Sequence, residues 1–210
     1  MKKFSIIGIL ALLISCSSHT KGEDGKSGEP GKEGVNGKNG EDGKDGNLTI
    51  GFNFTKKKQQ KEITDGILVG LTKKSDLQQD PFRDWFESGY NSYQPNKETI
   101  NDIKKLPLDY SITIFMGTWC EDSQNQIPKF YKILNEINFP EKKINLITMK
   151  RDKTTPELFE KDLDITNVPT FIFYKDGKEI NRIVESPIGN LELDMLTILS
   201  KKPYKNIYAE

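Results

Sequence analysis

The stretch Ile114-Phe115-Met116-Gly117-Thr118-Trp119-Cys120-Glu121-Asp122-Ser123 decides the fold. It closes a near-continuous apolar and β-branched run beginning at Tyr110, the pattern of a central strand buried on both faces. Gly117-Thr118-Trp119 turns the chain, and a helix is predicted from about Glu121 to Ile137. Its apolar residues Ile127, Phe130, Tyr131, Leu134 and Ile137 recur at helical spacing. Cys120 thus falls where the strand's turn gives way to the helix. Free amides and the positive end of the helix dipole make a thiol at such a position more reactive. Glu121 and Asp122 oppose this by like-charge repulsion, and Ser123 stands where its hydroxyl can reach the sulfur. A moderately reactive thiol is expected; the plainer alternative is a buried structural cysteine.

Working outward, Pro128 lies inside the helix and is expected to kink it. Ile144 to Met149 reads as a strand, and Thr155-Pro156-Glu157 as the start of a short helix. Thr170 to Tyr174 and Glu179 to Val184 flank Lys175-Asp176-Gly177-Lys178, a strong hairpin signal. Leu191 to Leu199 reads as a final amphipathic helix. Upstream, Ile63 to Leu71 is predicted to be one strand, weakened by two glycines. Asp80-Pro81 is expected to open a helix carrying Phe82, Trp85 and Phe86 on one face, with Tyr90 and Tyr93 following around Gly89. Core packing explains these aromatics more simply than a ligand platform does. A further helix from Lys97 to Leu106 is ended by Pro107. The order of elements predicts an α/β fold: a mixed sheet with helices on both faces.

Three features together resemble the thioredoxin-like family over about Tyr110 to Leu199. Trp119-Cys120 follows a buried strand, Pro128 comes eight residues after the cysteine, and Asn167-Val168-Pro169-Thr170 precedes a strand. The resemblance implies that Cys120 is the nucleophile and that Pro169 is cis and faces it across a substrate groove. Trp119, Val168, Pro169 and Thr170 would line that groove. Two departures matter. Ser123 replaces the partner cysteine of the family's CxxC pair, and Ile114 stands where its disulfide reductases carry a buried aspartate. A lone thiol can attack a disulfide but cannot resolve the mixed disulfide from within its own CxxC pair. The aromatic helices and the Gly-Thr-Trp-Cys-x-Asp-Ser form resemble a subgroup of bacterial thioredoxin-like proteins. Iron–sulfur binding of the monothiol glutaredoxin kind is a weaker analogy, since Glu121-Asp122 replace the glycine and aromatic of that motif.

The second cysteine, Cys16, has a different explanation. Lys2 and Lys3 precede an apolar run from Phe4 to Ile14, a secretory signal too short to span a bilayer as a stable helix. Leu13-Ile14-Ser15-Cys16 resembles a bacterial lipobox, which implies cleavage before Cys16, a diacylglycerol on its sulfur and an acyl chain on its new amino group. Several chains anchor better than one, since each buried methylene adds ~0.8 kcal/mol. The alternative is an ordinary signal with Cys16 incidental. Ser17 after the cysteine favours outer-membrane sorting if the cell is Gram-negative.

Glycine then recurs every third residue from Gly22 to Gly46, the period of a collagen triple helix. The triplets contain one proline, Pro30, so a flexible tether is the simpler reading and a monomer is expected; a short trimerising stalk is the alternative. As a coil its ends would lie roughly 25–30 Å apart. The organisation expected is a lipoprotein signal at 1–15, an anchored spacer at 16–47, an extension of a strand and two helices at 48–106, and a thioredoxin-like domain at 107–210. With 31 basic and 31 acidic residues, overall charge offers no argument for nucleic acid. His19 lies in the low-complexity region, and no cofactor or metal is expected. Two functions remain: monothiol thiol–disulfide exchange with envelope proteins or low-molecular-weight thiols, or a non-enzymatic peptide- or protein-binding module on the same fold.

Overall fold

The computed structural model describes residues 61–209. The signal, Cys16, His19 and the Gly22–Gly46 repeat lie outside the described residues. A six-stranded mixed sheet has the spatial order β1-β2-β4-β3-β5-β6. In chain order the strands are β1 (Glu62–Thr64), β2 (Ile67–Thr72), β3 (Tyr110–Met116), β4 (Ile144–Thr148), β5 (Thr170–Lys175) and β6 (Lys178–Val184). The helices are α1 (Lys74–Leu77), α2 (Arg83–Ser92), α3 (Lys97–Lys104), α4 (Glu121–Glu136) and α5 (Leu191–Leu199). β3 and β4 run parallel, joined through α4, and every other neighbouring pair is antiparallel.

The strand β3 is buried along its whole length, as its apolar run requires. Its residues alternate between two cores. Tyr110, Ile112, Ile114 and Met116 join Phe171 and Phe173 of β5 beneath the apolar stripes of the helices. Phe115 joins Ile147, Met149, Val168 and Ile172 on the opposite face, covered by Phe159, Leu163 and Ile165. The upstream aromatics are core: Phe86 contacts Tyr131 edge-on and stacks with Tyr90. Gly89 lets α2 approach α4 closely, because a Cβ there would meet Pro128 at 3.0 Å.

Three local expectations are corrected. Residues 62–72 form a hairpin, not one strand, because Asp65 and Gly66 both take positive φ (51° and 73°) in a tight turn. β2 then pairs antiparallel with β4 and extends the central sheet. Asp80-Pro81 does not open a helix. Its peptide is cis, Phe82 N–H closes a turn on Gln79 carbonyl at 2.9 Å, and α2 starts at Arg83. The helix expected at Thr155 is absent, since Leu158, Asp162 and Asp164 take positive φ of 56°, 63° and 51° and interrupt any α-helical run. The Thr155 hydroxyl instead accepts the Phe159 amide at 2.9 Å and donates to Glu160 at 2.6 Å.

Candidate functional site

Strand register gathers the chemistry at one end of the sheet. Met116 at the end of β3 is paired with Thr148 of β4, while Phe115 faces Thr170 at the start of β5. The segments that follow β3, follow β4 and precede β5 therefore meet. The Met149 amide donates to Met116 carbonyl at 2.8 Å and continues the ladder to the edge of the site.

At the turn, Gly117 lies under the Trp119 ring, where a Cβ would come within 2.5 Å of ring carbon Cε2. Only glycine fits there without displacing the indole. Trp119 is held on both sides: its Nε1–H donates to Met149 carbonyl at 2.9 Å, and the Arg151 guanidinium lies 5.5 Å from its ring centroid. Thr118 ties the turn to the β1–β2 hairpin, its Oγ1 accepting the Leu68 amide at 3.1 Å. Its carbonyl accepts Gln124 Nε2–H at 2.8 Å, bracing the turn against the first turn of α4.

Cys120 is the N-cap residue of α4, in extended backbone geometry, partly exposed, and a free thiol. Its Sγ–H donates to Val168 carbonyl at 3.2 Å. The Val168–Pro169 peptide is cis, as the resemblance implied. The sulfur and the proline loop thus face one another, although 48 residues separate Cys120 from Val168.

Three residues sit differently from expectation. Ser123 is fully buried, and its Oγ accepts the Gly117 amide at 3.2 Å; the hydrogen bond expected from it to the sulfur is not made. Its hydroxyl satisfies a buried main-chain donor instead. Thr170 is buried between β3 and β6, and its hydroxyl donates to Asn167 carbonyl at 2.6 Å. It shapes the proline loop from beneath. Val168 likewise turns its side chain into the second core and presents its carbonyl to the sulfur. Met149, Arg151, Glu185 and Tyr208 were missed in the sequence. They reach the site through strand register and long-range contacts, and no local motif marks them.

A mixed sheet, a helix-start cysteine and a facing cis-proline loop define a thioredoxin-like α/β protein. A thioredoxin family model matches residues 72–195, more than half of the sequence, and the chain belongs to that family. A general redox-related role goes with that fold. Solved structures similar to this chain include a Pseudomonas aeruginosa protein of unknown function, at 14% identity over 55% of this chain and 68% of that one, with a TM-score of 0.38. A Fasciola hepatica thioredoxin shares 22% identity over 48% and 88% of the two chains, at a TM-score of 0.33. Mitochondrial thioredoxin 3 of Saccharomyces cerevisiae shares 25% identity over 46% and 86%, at 0.29. Likenesses of that size say nothing of chemistry. A comparison with curated proteins finds no match.

Proposed function

We propose that this protein is an envelope-anchored, thioredoxin-like monothiol exchanger acting through Cys120. The observation that carries the reading is partly exposed Cys120 at the start of α4, its sulfur 3.2 Å from the carbonyl that precedes cis-Pro169. Deprotonated, that sulfur attacks one sulfur of a disulfide; a Cys120–S–S–R bond forms, the substrate's S–S bond breaks, and R–S⁻ leaves to take a proton from solvent. An external thiolate then attacks the mixed disulfide, releases Cys120 as thiolate and carries R away as a new disulfide. The two steps exchange partners without net oxidation or reduction. Envelope proteins or low-molecular-weight thiols supply both substrate and second thiol, with Trp119 and Pro169 framing the approach to the sulfur. Trapping partners from the envelope with the parent and with Cys120→Ser tests this: disulfide-linked species should be present with the parent and missing with the variant.

A second reading, a non-enzymatic peptide- or protein-binding module, is favoured by Ser123 at the position of a resolving thiol. Its distinguishing result is a partner retained equally by the parent and by Cys120→Ser.

The anchor forms part of the same proposal and rests on the sequence. A charged start, a short apolar run and Leu13-Ile14-Ser15-Cys16 support lipid attachment at Cys16, with sorting to the outer membrane if the cell is Gram-negative. Cys16→Ala should leave an unprocessed or soluble precursor without lipid. Mass spectrometry of the wild-type protein showing an unlipidated mature N-terminus beyond Cys16 would refute the anchor.

A further inference from the structure

The C-terminal segment returns to the site after α5. Tyr204 fixes its path: the hydroxyl donates to Asp194 at 2.8 Å, and the carbonyl accepts Asn181 Nδ2–H at 3.0 Å. Four residues later, the Tyr208 hydroxyl donates to the Glu185 carboxylate and accepts Asn167 Nδ2–H at 3.2 Å. Asn167 also donates to the second carboxylate oxygen of Glu185 at 3.2 Å, closing a three-residue clamp.

The clamp sits directly on the proline loop. Asn167 immediately precedes Val168, whose carbonyl holds the Cys120 thiol, and the Glu185 amide donates to Pro169 carbonyl at 2.7 Å. Tyr208 therefore bonds Asn167, two residues before Pro169, and Glu185, whose amide holds the Pro169 carbonyl. The hydrogen bond to Glu185 holds the phenol protonated and raises its pKa, with a smaller contribution from the negative charge of Asp122.

We infer that the segment from Tyr204 to Tyr208 is a strap that makes the Cys120 site selective for small disulfides over polypeptide disulfides. The inference rests on the exchange reading and names its substrate class. A small disulfide needs only the approach to the sulfur between Trp119 and Pro169. A polypeptide must lay main chain along the Asn167–Pro169 loop on either side of the reacting bond, and Tyr208 is bonded to the Asn167 side chain at the start of that loop. Binding it requires breaking the phenol–carboxylate bond first, whereas a small disulfide leaves the strap in place.

The test uses the whole protein as parent, Tyr208→Phe and Tyr208→Ala. Rates of adduct formation at Cys120 are followed by intact mass with hydroxyethyl disulfide and with insulin. Loss of the phenol's hydrogen bond to a carboxylate should raise the insulin rate about tenfold in both variants. The hydroxyethyl disulfide rate should stay within about twofold of the parent, since the sulfur's own hydrogen bond is untouched. Insulin-to-small-disulfide ratios equal in parent and variants would overturn the strap. So would an equal rise for both disulfides, which marks a general shield and not a selective one. Alkylation with N-ethylmaleimide and with a polyethylene-glycol maleimide separates this result from failure of the exchange reading. If Cys120 exchanges with neither disulfide, that reading falls; a polymer-to-small maleimide ratio raised by Tyr208→Phe still supports the strap, and an unchanged ratio overturns it.

Discussion

Ser123→Cys should form an intramolecular disulfide with Cys120 on oxidation, and dithiol-driven insulin reduction should rise by about tenfold or more over the parent. The geometry supports both parts. Cys120 is the N-cap of α4 and Ser123 is its third helical residue, positions whose side chains meet in the first turn of a helix. The Ser123 side chain already lies inward, fully buried against the Gly117 amide, so the larger sulfur enters a position facing the interior while Cys120 stays partly exposed. The introduced thiol can then attack the mixed disulfide at Cys120 from within the same turn, a step for which the parent must recruit an external thiol. Ile114, buried in β3, contributes no carboxylate for proton transfer, which keeps the gain below that of a full reductase. Insulin turnover by the parent as fast as by the variant would show that the resolving position is not limiting. If the two thiols resist oxidation to a disulfide, the helix-start geometry assigned to them is wrong.

Phe130→Ala should lower unfolding free energy by about 3–5 kcal/mol, read as a reduced denaturant midpoint at unchanged denaturant slope. Phe130 is fully buried at the centre of α4, with its ring centroid 4.3 Å from that of Phe171 and 6.3 Å from that of Phe173. It joins the helix that carries Cys120 to the strand that follows Pro169, so truncation leaves a cavity between the two halves of the site. The same change should slow adduct formation at Cys120 more than it perturbs far-ultraviolet circular dichroism. A loss under about 1 kcal/mol would mean that the α4–β5 contact is not the packing centre described.

How far the sequence could be read depended on whether local pattern or distant contact decides each element. β3, α4 and the β5–β6 hairpin were legible because each has a strong period or turn signal, and their observed bounds follow it closely; α5 has the expected bounds but not an amphipathic pattern, since Glu192 and Asp194 are buried and Leu193 is exposed. The β1–β2 hairpin carries the same kind of signal. Asp65-Gly66 is a two-residue turn dipeptide, and it joins two strands where one continuous strand was expected. The segment after Thr155 has a helix-start pattern, yet its left-handed residues follow from covering the second core with Phe159, Leu163 and Ile165, a tertiary demand with no local period. Within the site, Cys120, Trp119 and Pro169 were legible from motif chemistry. The Ser123 hydroxyl bonds Gly117 and not the sulfur, because spacing alone does not say which way a hydroxyl at that position points. Tyr208 and Glu185 lie 23 residues apart, and only the folded chain brings them together.

The most direct measurement is whether Cys120 itself cycles. The whole protein is incubated with hydroxyethyl disulfide, then with an excess of a monothiol, and Cys120 is followed by intact mass and peptide mapping. A monothiol exchanger gains one substrate half on Cys120, loses it when the second thiol is added, and repeats the cycle; Cys120→Ser gains none. A sulfur that stays unmodified while equally exposed reference thiols react, or an adduct that the second thiol cannot remove, would contradict exchange through Cys120.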